Sequence, residues 1–192
     1  MLSAIIDTHE SERALVRTLA ALVPGATAGL LAEVIVADAG SSDDTEEIAD
    51  IAGCRYLRSG APQGVRLKAA AETTRTPWLM FLRAGCVPEP GWIAATERFM
   101  QVNDLSEKTS RAGMFRPAGV ADPLRPGLAE LFQVLRLACG GRRGPEQGLL
   151  ISKRLYLSLG GHPEGAEADA ALLRKLGRRR IAMLPAVATA TG

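Results

Sequence analysis

Val34-Ile35-Val36-Ala37-Asp38-Ala39-Gly40-Ser41-Ser42-Asp43-Asp44-Thr45 is the stretch on which the reading of the fold turns. Its first four residues are apolar without alternation, as in a parallel strand covered on both faces. The run ends in a carboxylate, Asp38; Gly40 permits a tight turn, and the Ser and Asp residues supply turn and cap chemistry. Asp43, with Glu46 three residues later, resembles a capping box for a helix over 44–52. In open α/β sheets the ligand crevice lies outside the carboxyl ends of the strands, so Asp38 would point into it. A carboxylate there can accept from a ribose hydroxyl or a base N–H. The competing reading is turn chemistry alone, with Asp38 capping its own loop.

Outward from this stretch, short strands alternate with amphipathic helices, the signature of an α/β domain. Strands are expected at Leu2–Ile6, Arg55–Arg58, Trp78–Leu82, Met114–Arg116, Leu149–Ile151 and Ile181–Leu184, the last closing the sheet. Ser11 can cap a helix whose Leu15, Leu19 and Leu22 share one face. Further helices are expected at 63–74, 91–102, Leu128–Leu137, Lys153–Leu159 and Ala166–Leu176, with polar or glycine-rich loops at 103–111, Gly140–Gly148 and Gly160–Gly165. No repeat or linker divides the 192 residues, a length that suits one domain.

The formal net charge is +2, too balanced to make nucleic acid an obligatory partner. The sign is uneven: residues 1–96 hold 8 basic and 12 acidic side chains, residues 97–192 hold 15 and 9. The basic excess gathers at Arg142–Arg143, Lys153–Arg154, Arg174–Lys175 and Arg178–Arg180, either as a solvated rim or as a surface for an anionic ligand or membrane headgroups. Cys54, Cys86 and Cys139 form no CxxC pair, which favours a reducing compartment and argues against a Cys-ligated zinc site. With neither a signal peptide nor a spanning run in view, a soluble cytoplasmic protein is expected.

Several segments occur in the order of one known family. The stretch at 34–45 resembles the first nucleotide-binding motif of family 2 glycosyltransferases, D-[DGA]-G-S-[ST]-D-x-T after a valine-rich strand. Ile5-Ile6-Asp7-Thr8-His9-Glu10 sits where the family has I-P-T-[YL]-N-E, and Trp78 to Pro88 where a strand runs into its metal motif. Glu146-Gln147-Gly148 through Gly160-Gly161 is similar to D-Q-G-x-F-x-x-R-x-x-F-x-x-x-G-G, and Ala168-Asp169-Ala170-Ala171-Leu172 falls on E-D-x-x-L. The resemblance covers nearly the whole chain.

It implies a single GT-A-like nucleotide-binding domain over 1–192, with a mostly parallel central sheet flanked by helices. Residues 1–100 would form the nucleotide-binding half and 101–192 the acceptor side. The implied activity is inverting transfer of a sugar from a nucleoside diphosphate sugar to an acceptor hydroxyl, on a glycan or a lipid-linked molecule. Nucleic acid is not an implied partner, and peripheral contact with the inner face of the membrane is compatible with the basic C-terminal half. By the same resemblance Asp169 is the base, Thr8, Glu10, Asp38, Gly40 and Ser41 face the nucleotide, and Gln147 and His162 the acceptor; Arg66 and Arg83, at positions that depart from the family pattern, are read as nucleotide-facing from their charge.

The departures are as informative. At the D-x-D positions stand Arg83 and Gly85, so neither carboxylate that would hold Mg²⁺ or Mn²⁺ exists. Ala168 replaces the glutamate before the base, and Val65–Ala70 a pattern close to R-Q-x-N-x-G. Two readings follow. In one, Arg83 takes the place of the metal, pairing with phosphate oxygens, with Arg66 and Lys68 adding to it. In the other, the donor site is decayed and the chain is a catalytically silent nucleotide-binding or protein-interaction domain.

Other constellations are weaker. His9-Glu10 begins an H-E-x-x-H pattern, but Arg13 stands where the second histidine would be. The chain has no G-x-G-x-x-G and no P-loop motif. Gly140-Gly141-Arg142-Arg143-Gly144 reads as a surface lid or a phosphate cradle, and Trp92 as a core residue or a sugar-stacking platform. His162 also reads as plain turn structure.

Overall fold

The computed structural model describes residues 1–105, 110–117, 148–165 and 167–190. The helix expected at Leu128–Leu137, the Gly140–Gly144 loop and Gln147 lie outside the described residues.

The elements run β1 (Leu2–Thr8), α1 (Glu12–Thr27), β2 (Leu31–Asp38), α2 (Thr45–Ile51), β3 (Arg55–Arg58), α3 (Gln63–Thr73), β4 (Trp78–Arg83), β5 (Cys86–Pro88), α4 (Trp92–Asp104), β6 (Ala112–Pro117) and β7 (Leu149–Ser152). After these come α5 (Lys153–Ser158), α6 (Ala168–Leu176), a short 3₁₀ turn (Arg178–Arg180) and β8 (Ile181–Ala190). Eight strands form one sheet in the order β3-β2-β1-β4-β7-β6-β8-β5. The first four are mutually parallel, β7 runs antiparallel to β4 and β6, β8 is parallel to β6, and β5 is antiparallel to β8.

The continuous apolar runs are explained by a core on each face. From β4, Trp78, Met80 and Leu82 join Leu15, Leu22 and Trp92 on one side. Leu79 and Phe81 join Leu67, Leu155, Tyr156 and Leu172 on the other. Each fully buried large apolar side chain contributes about 1.5–3 kcal/mol, so the doubly covered strands anchor the domain. Trp92 is core: it is buried, its ring lies against Gly25 of α1, and its Nε1–H donates to the Ala21 carbonyl at 3.2 Å. A Cβ at Gly25 would stand 2.5 Å from that ring, so the close approach of α1 and α4 depends on the glycine.

Three expectations need correction. Asp43 and Glu46 do not form a capping box: Asp43 accepts from the Thr45 N–H and hydroxyl and from the Glu12 N–H of the neighbouring helix, and Glu46 pairs with Arg58. Ser11 precedes α1 but does not cap it; its hydroxyl donates to the His9 carbonyl, so the first turn is capped across the sheet by Asp43. Ile181–Leu184 is only the start of a ten-residue strand, and β5, not β8, is the sheet's edge. Pro185 is tolerated because the register shifts between Met114 and Arg116 opposite it, and a bulge is where a sheet accepts proline. Among the described residues no helix is long and apolar enough to cross a membrane.

Candidate active site

The carboxyl ends of β1, β2 and β4 lie side by side, with Thr8 in register with Asp38 and Asp7 with Arg83. The chain runs from β1 to β2 on one side, while β4, the neighbour on the other side, connects onward away from β1, the arrangement that opens a crevice in α/β sheets. Two clusters fill the two sides of β1.

On the β2 side, Asp38 is fully buried. Its Oδ2 accepts the N–H groups of Gly40 (2.7 Å) and Ser41 (2.6 Å), and its Oδ1 the hydroxyls of Thr8 (2.8 Å) and Ser41 (2.5 Å). Burial alone would raise its pKa, but the Ser41 hydroxyl and N–H, with Thr8 and Gly40, outweigh that and hold the carboxyl at about 2. Four donors occupy the carboxylate, so Asp38 is not the open acceptor expected of it; it closes its own turn. Gly40, at φ 99, adopts a conformation that L side chains rarely take. Asp38 also pushes up the pKa of Tyr56, second to burial itself.

Glu10 ties this loop to the one after β1. Its N–H donates to Ser41 Oγ at 2.8 Å, and its Oε1 accepts the Ser42 N–H at 2.8 Å and the Ser42 hydroxyl at 3.0 Å. Its φ of 47 is rare outside glycine and costs on the order of 1 kcal/mol, which these bonds offset. His9 beside it is exposed.

On the β4 side, two carboxylates and two guanidiniums alternate. Arg66 donates to Asp7 Oδ1 and, at 2.9 Å, to the Ala61 carbonyl; it is buried and held away from the open crevice. The amide nitrogen of Gln63, at the start of α3, donates to Asp7 Oδ2 at 2.8 Å and to Asp169 Oδ2 at 3.0 Å. Arg83 donates to the same Asp169 oxygen at 3.3 Å, with its side chain 41% exposed. Asp169 Oδ1 meets Nε2 of His162 at 3.2 Å. Burial raises the Asp169 pKa, but the His162 hydrogen bond and charge and then Arg83 overcome this and lower it on balance. A small cavity lined by Asp7, Phe81, Arg83, Met114, Gly148 and Asp169 adjoins the network.

The structure thus joins Arg83, His162 and Asp169, and keeps Thr8, Glu10, Asp38, Gly40 and Ser41 together in the other cluster. Arg66 belongs to the first cluster but faces Asp7, and Lys68 is exposed on α3. His162 is buried behind Asp169, with both ring nitrogens engaged, and presents no free edge to an acceptor. Gln63 and Tyr156 are participants that the sequence reading missed. Gln63 follows Pro62 at a helix start, a position where only its distance from Asp7 and Asp169 in the folded chain reveals a role.

The family metal does not fit these residues. Arg83 brings a cation where a carboxylate would stand. Gly85 sits at φ 90 with its N–H bonded to Thr18 Oγ1 and the Ala14 carbonyl. Among the described residues no three His, Cys, Asp or Glu side chains converge to hold an ion.

Against known proteins, the family model "Glycosyl transferase family 2" matches residues 3–106. No curated protein sequence matches the chain. Among solved structures, glucosyl-3-phosphoglycerate synthase from Mycobacterium tuberculosis in complex with Mn²⁺, UDP and phosphoglyceric acid superposes with a TM-score of 0.68 at 19% identity, over 100% of this chain and 71% of that one. The complex of that enzyme with phosphoglyceric acid gives 0.70 at 20%, covering 100% and 72%. Its complex with Mn²⁺, UDP-glucose and phosphoglyceric acid gives 0.69 at 19%, with the same coverage. The α/β sheet flanked by helices is therefore a GT-A-like fold, and the chain belongs to the family 2 glycosyl transferases.

Proposed function

We propose that this protein binds a nucleoside diphosphate sugar and transfers the sugar to an acceptor hydroxyl without a metal ion. Asp169 acts as base and Arg83 as the charge that receives the departing diphosphate. The observation that carries this reading is the Arg83–Asp169 pair at the carboxyl end of β4, with Arg83 the more exposed partner. The acceptor oxygen loses its proton to Asp169 and bonds to the sugar's anomeric carbon. The bond from that carbon to the diphosphate breaks, and its electron pair leaves with the diphosphate, where a guanidinium can pair bidentately with phosphate oxygens. A diphosphate that draws Arg83 away also removes a cation that lowers the Asp169 pKa. The base would then strengthen when the donor arrives.

The 1–100 half would hold the nucleoside between the Thr8–Glu10 and Gly40–Ser42 turns, and the 101–192 half, with Gln147, would face the acceptor. The exposed Arg174, Lys175, Arg179 and Arg180 suit an anionic acceptor, glycan or lipid-linked, or a membrane surface at the cytoplasmic face. A second reading, a silent nucleotide-binding or protein-interaction domain, draws on a specific observation: Asp169 already receives Gln63, Arg83 and His162.

Calorimetric titration with UDP, GDP and their sugars, in Mn²⁺ and then in EDTA, tests the proposal. Binding that survives EDTA, with sugar-nucleotide turnover lost in Asp169→Asn, supports the enzyme. Binding with no turnover of any donor supports the silent domain, and absence of nucleotide binding overturns the donor site itself.

A further inference from the structure

We infer that Tyr156 and His162 form a buried positioning pair that fixes the orientation and ionisation of Asp169. The role in catalysis rests on Asp169 being the base; the hydrogen-bond chain itself does not. The His162 side chain is fully buried. Its N–H donates to Tyr156 Oη at 3.1 Å, Tyr156 Oη lies 2.9 Å from Nδ1, and Nε2 lies 3.2 Å from Asp169 Oδ1.

For a neutral imidazole the chemistry allows one pattern of protons; a doubly protonated ring would still donate Nε2–H to Asp169 and would turn Tyr156 Oη into the acceptor of Nδ1–H. An ionised carboxylate only accepts, so Nε2 must carry the hydrogen. In the neutral ring Nδ1 is then an acceptor, and the Tyr156 hydroxyl must donate to it. That hydroxyl is free to do so because its other contact is the His162 N–H, which it accepts. Burial, opposed by that N–H and reinforced by Glu72 and Asp169, pushes the Tyr156 pKa up to about 12, so the proton stays on Oη. With the neutral ring every group in the chain is satisfied in one direction, from backbone to carboxylate.

The ring cannot turn easily. Phe81 meets His162 edge-on at 4.7 Å and Tyr156 at 5.1 Å. Gly160 and Gly161, at φ 80 and 73, bend the chain so that the His162 N–H reaches back to Tyr156. A Cβ at Gly161 would lie 3.2 Å from Tyr156 Oη, which leaves little room beside the pair. Among the described residues the other charged groups near this chain of bonds are Arg83 of β4, Asp7 of β1 through Gln63, Arg66 of α3, which is held by Asp7, and Glu72 of α3, which acts on Tyr156. His162 alone approaches Oδ1 among the described hydrogen bonds, so it decides how that oxygen is held.

The test combines ring ¹⁵N and carboxyl ¹³C NMR with kinetics on the full chain. Wild-type His162 should show a protonated Nε2 and an unprotonated Nδ1; the opposite tautomer overturns the inference. His162→Phe should move the Asp169 titration midpoint upward, because a donor that favours the carboxylate is gone. His162→Gln, which keeps an N–H near Nε2, should return most of that shift. If His162→Phe does not fold, Tyr156→Phe serves: Nδ1 loses its donor, Nε2–H becomes a weaker donor to the carboxylate, and the Asp169 midpoint should rise while the tautomer, fixed by Asp169, stays. An Asp169 midpoint unmoved in both variants overturns the pair.

In turnover, His162→Phe should lower kcat about tenfold or more at little change in KM, part of the roughly 10²–10⁴ that a positioned base supplies. The acid limb of its pH profile should shift upward with the Asp169 midpoint. Asp169→Asn separates the two ideas. If that variant turns over normally, the base assignment falls while the NMR result still judges the pair; if it is inactive and His162→Phe keeps the wild-type kcat and pH profile, the positioning role falls alone.

Discussion

Arg83 and Asp169 are 86 residues apart in the chain, yet a guanidinium nitrogen of one lies 3.3 Å from a carboxylate oxygen of the other. The arginine side chain is 41% exposed and the aspartate 17%, so the pair is anchored at Asp169 and open at Arg83. A phosphate entering the crevice would compete for Arg83 without having to dislodge Asp169 from Gln63 and His162.

Arg83→Ala should therefore weaken binding of a nucleoside diphosphate by roughly 10- to 100-fold, the loss of a charged hydrogen bond worth about 1.5–3 kcal/mol. Arg83→Lys should recover only part, since an ammonium lacks the planar fork. Calorimetry in EDTA reads both. Equal affinity in all three proteins would remove Arg83 from the phosphate site.

Asp38 predicts a pH dependence of stability. Its folded pKa of about 2 lies below the ordinary aspartate value of 3.8, so its contribution is complete above about 4 and is lost as pH falls toward 2. Asp38→Asn should cost on the order of 2 kcal/mol at neutral pH, and the gap from wild type should narrow in acid. Urea unfolding at pH 7 and pH 3 measures the difference; a gap independent of pH would mean the charge is not what holds the turn.

Glycine positions offer a contrast in the same region. A Cβ on Gly64 would stand 1.8 Å from the Pro163 carbonyl oxygen, whereas one on Gly60 meets nothing within 4 Å. Gly64→Ala should lower Tm markedly, with overpacking costing about 1–3 kcal/mol or more. Gly60→Ala should be neutral or slightly stabilising through the unfolded chain. Thermal melts compare the two directly.

Trp92 supplies a negative control for sugar recognition. Trp92→Phe removes the Nε1–H bond to Ala21 and should cost about 1 kcal/mol of stability. Nucleotide-sugar affinity should stay at the wild-type value, and a drop confined to affinity would restore Trp92 as a stacking platform.

The parallel half of the sheet was readable in advance because β1, β2 and β4 are buried on both faces and so appear as unbroken apolar runs. Leu15 and Leu22 likewise announced the inner face of α1. What escaped was set by distant partners. β5 has three residues and exists only through β8, and β8 passes Pro185 because a bulge lies opposite. The Asp38 motif was recognisable, but whether its carboxylate faces a ligand or its own loop depended on where Thr8, 30 residues earlier, would lie. Gln63 and Tyr156 carried no local signal, since their partners lie up to 106 residues away or across a double-glycine turn.

The contact between Gly64 and Pro163 divides the cleft mechanically. It seats the start of α3 directly against the loop bearing His162, so Gln63 and His162 reach Asp169 from two elements in close contact. Opposite them, the end of β4 offers a single solvent-reaching side chain that no backbone contact of this kind pins. Exchanging that residue would change the charge offered to a donor without disturbing the packed contact between α3 and the His162 loop.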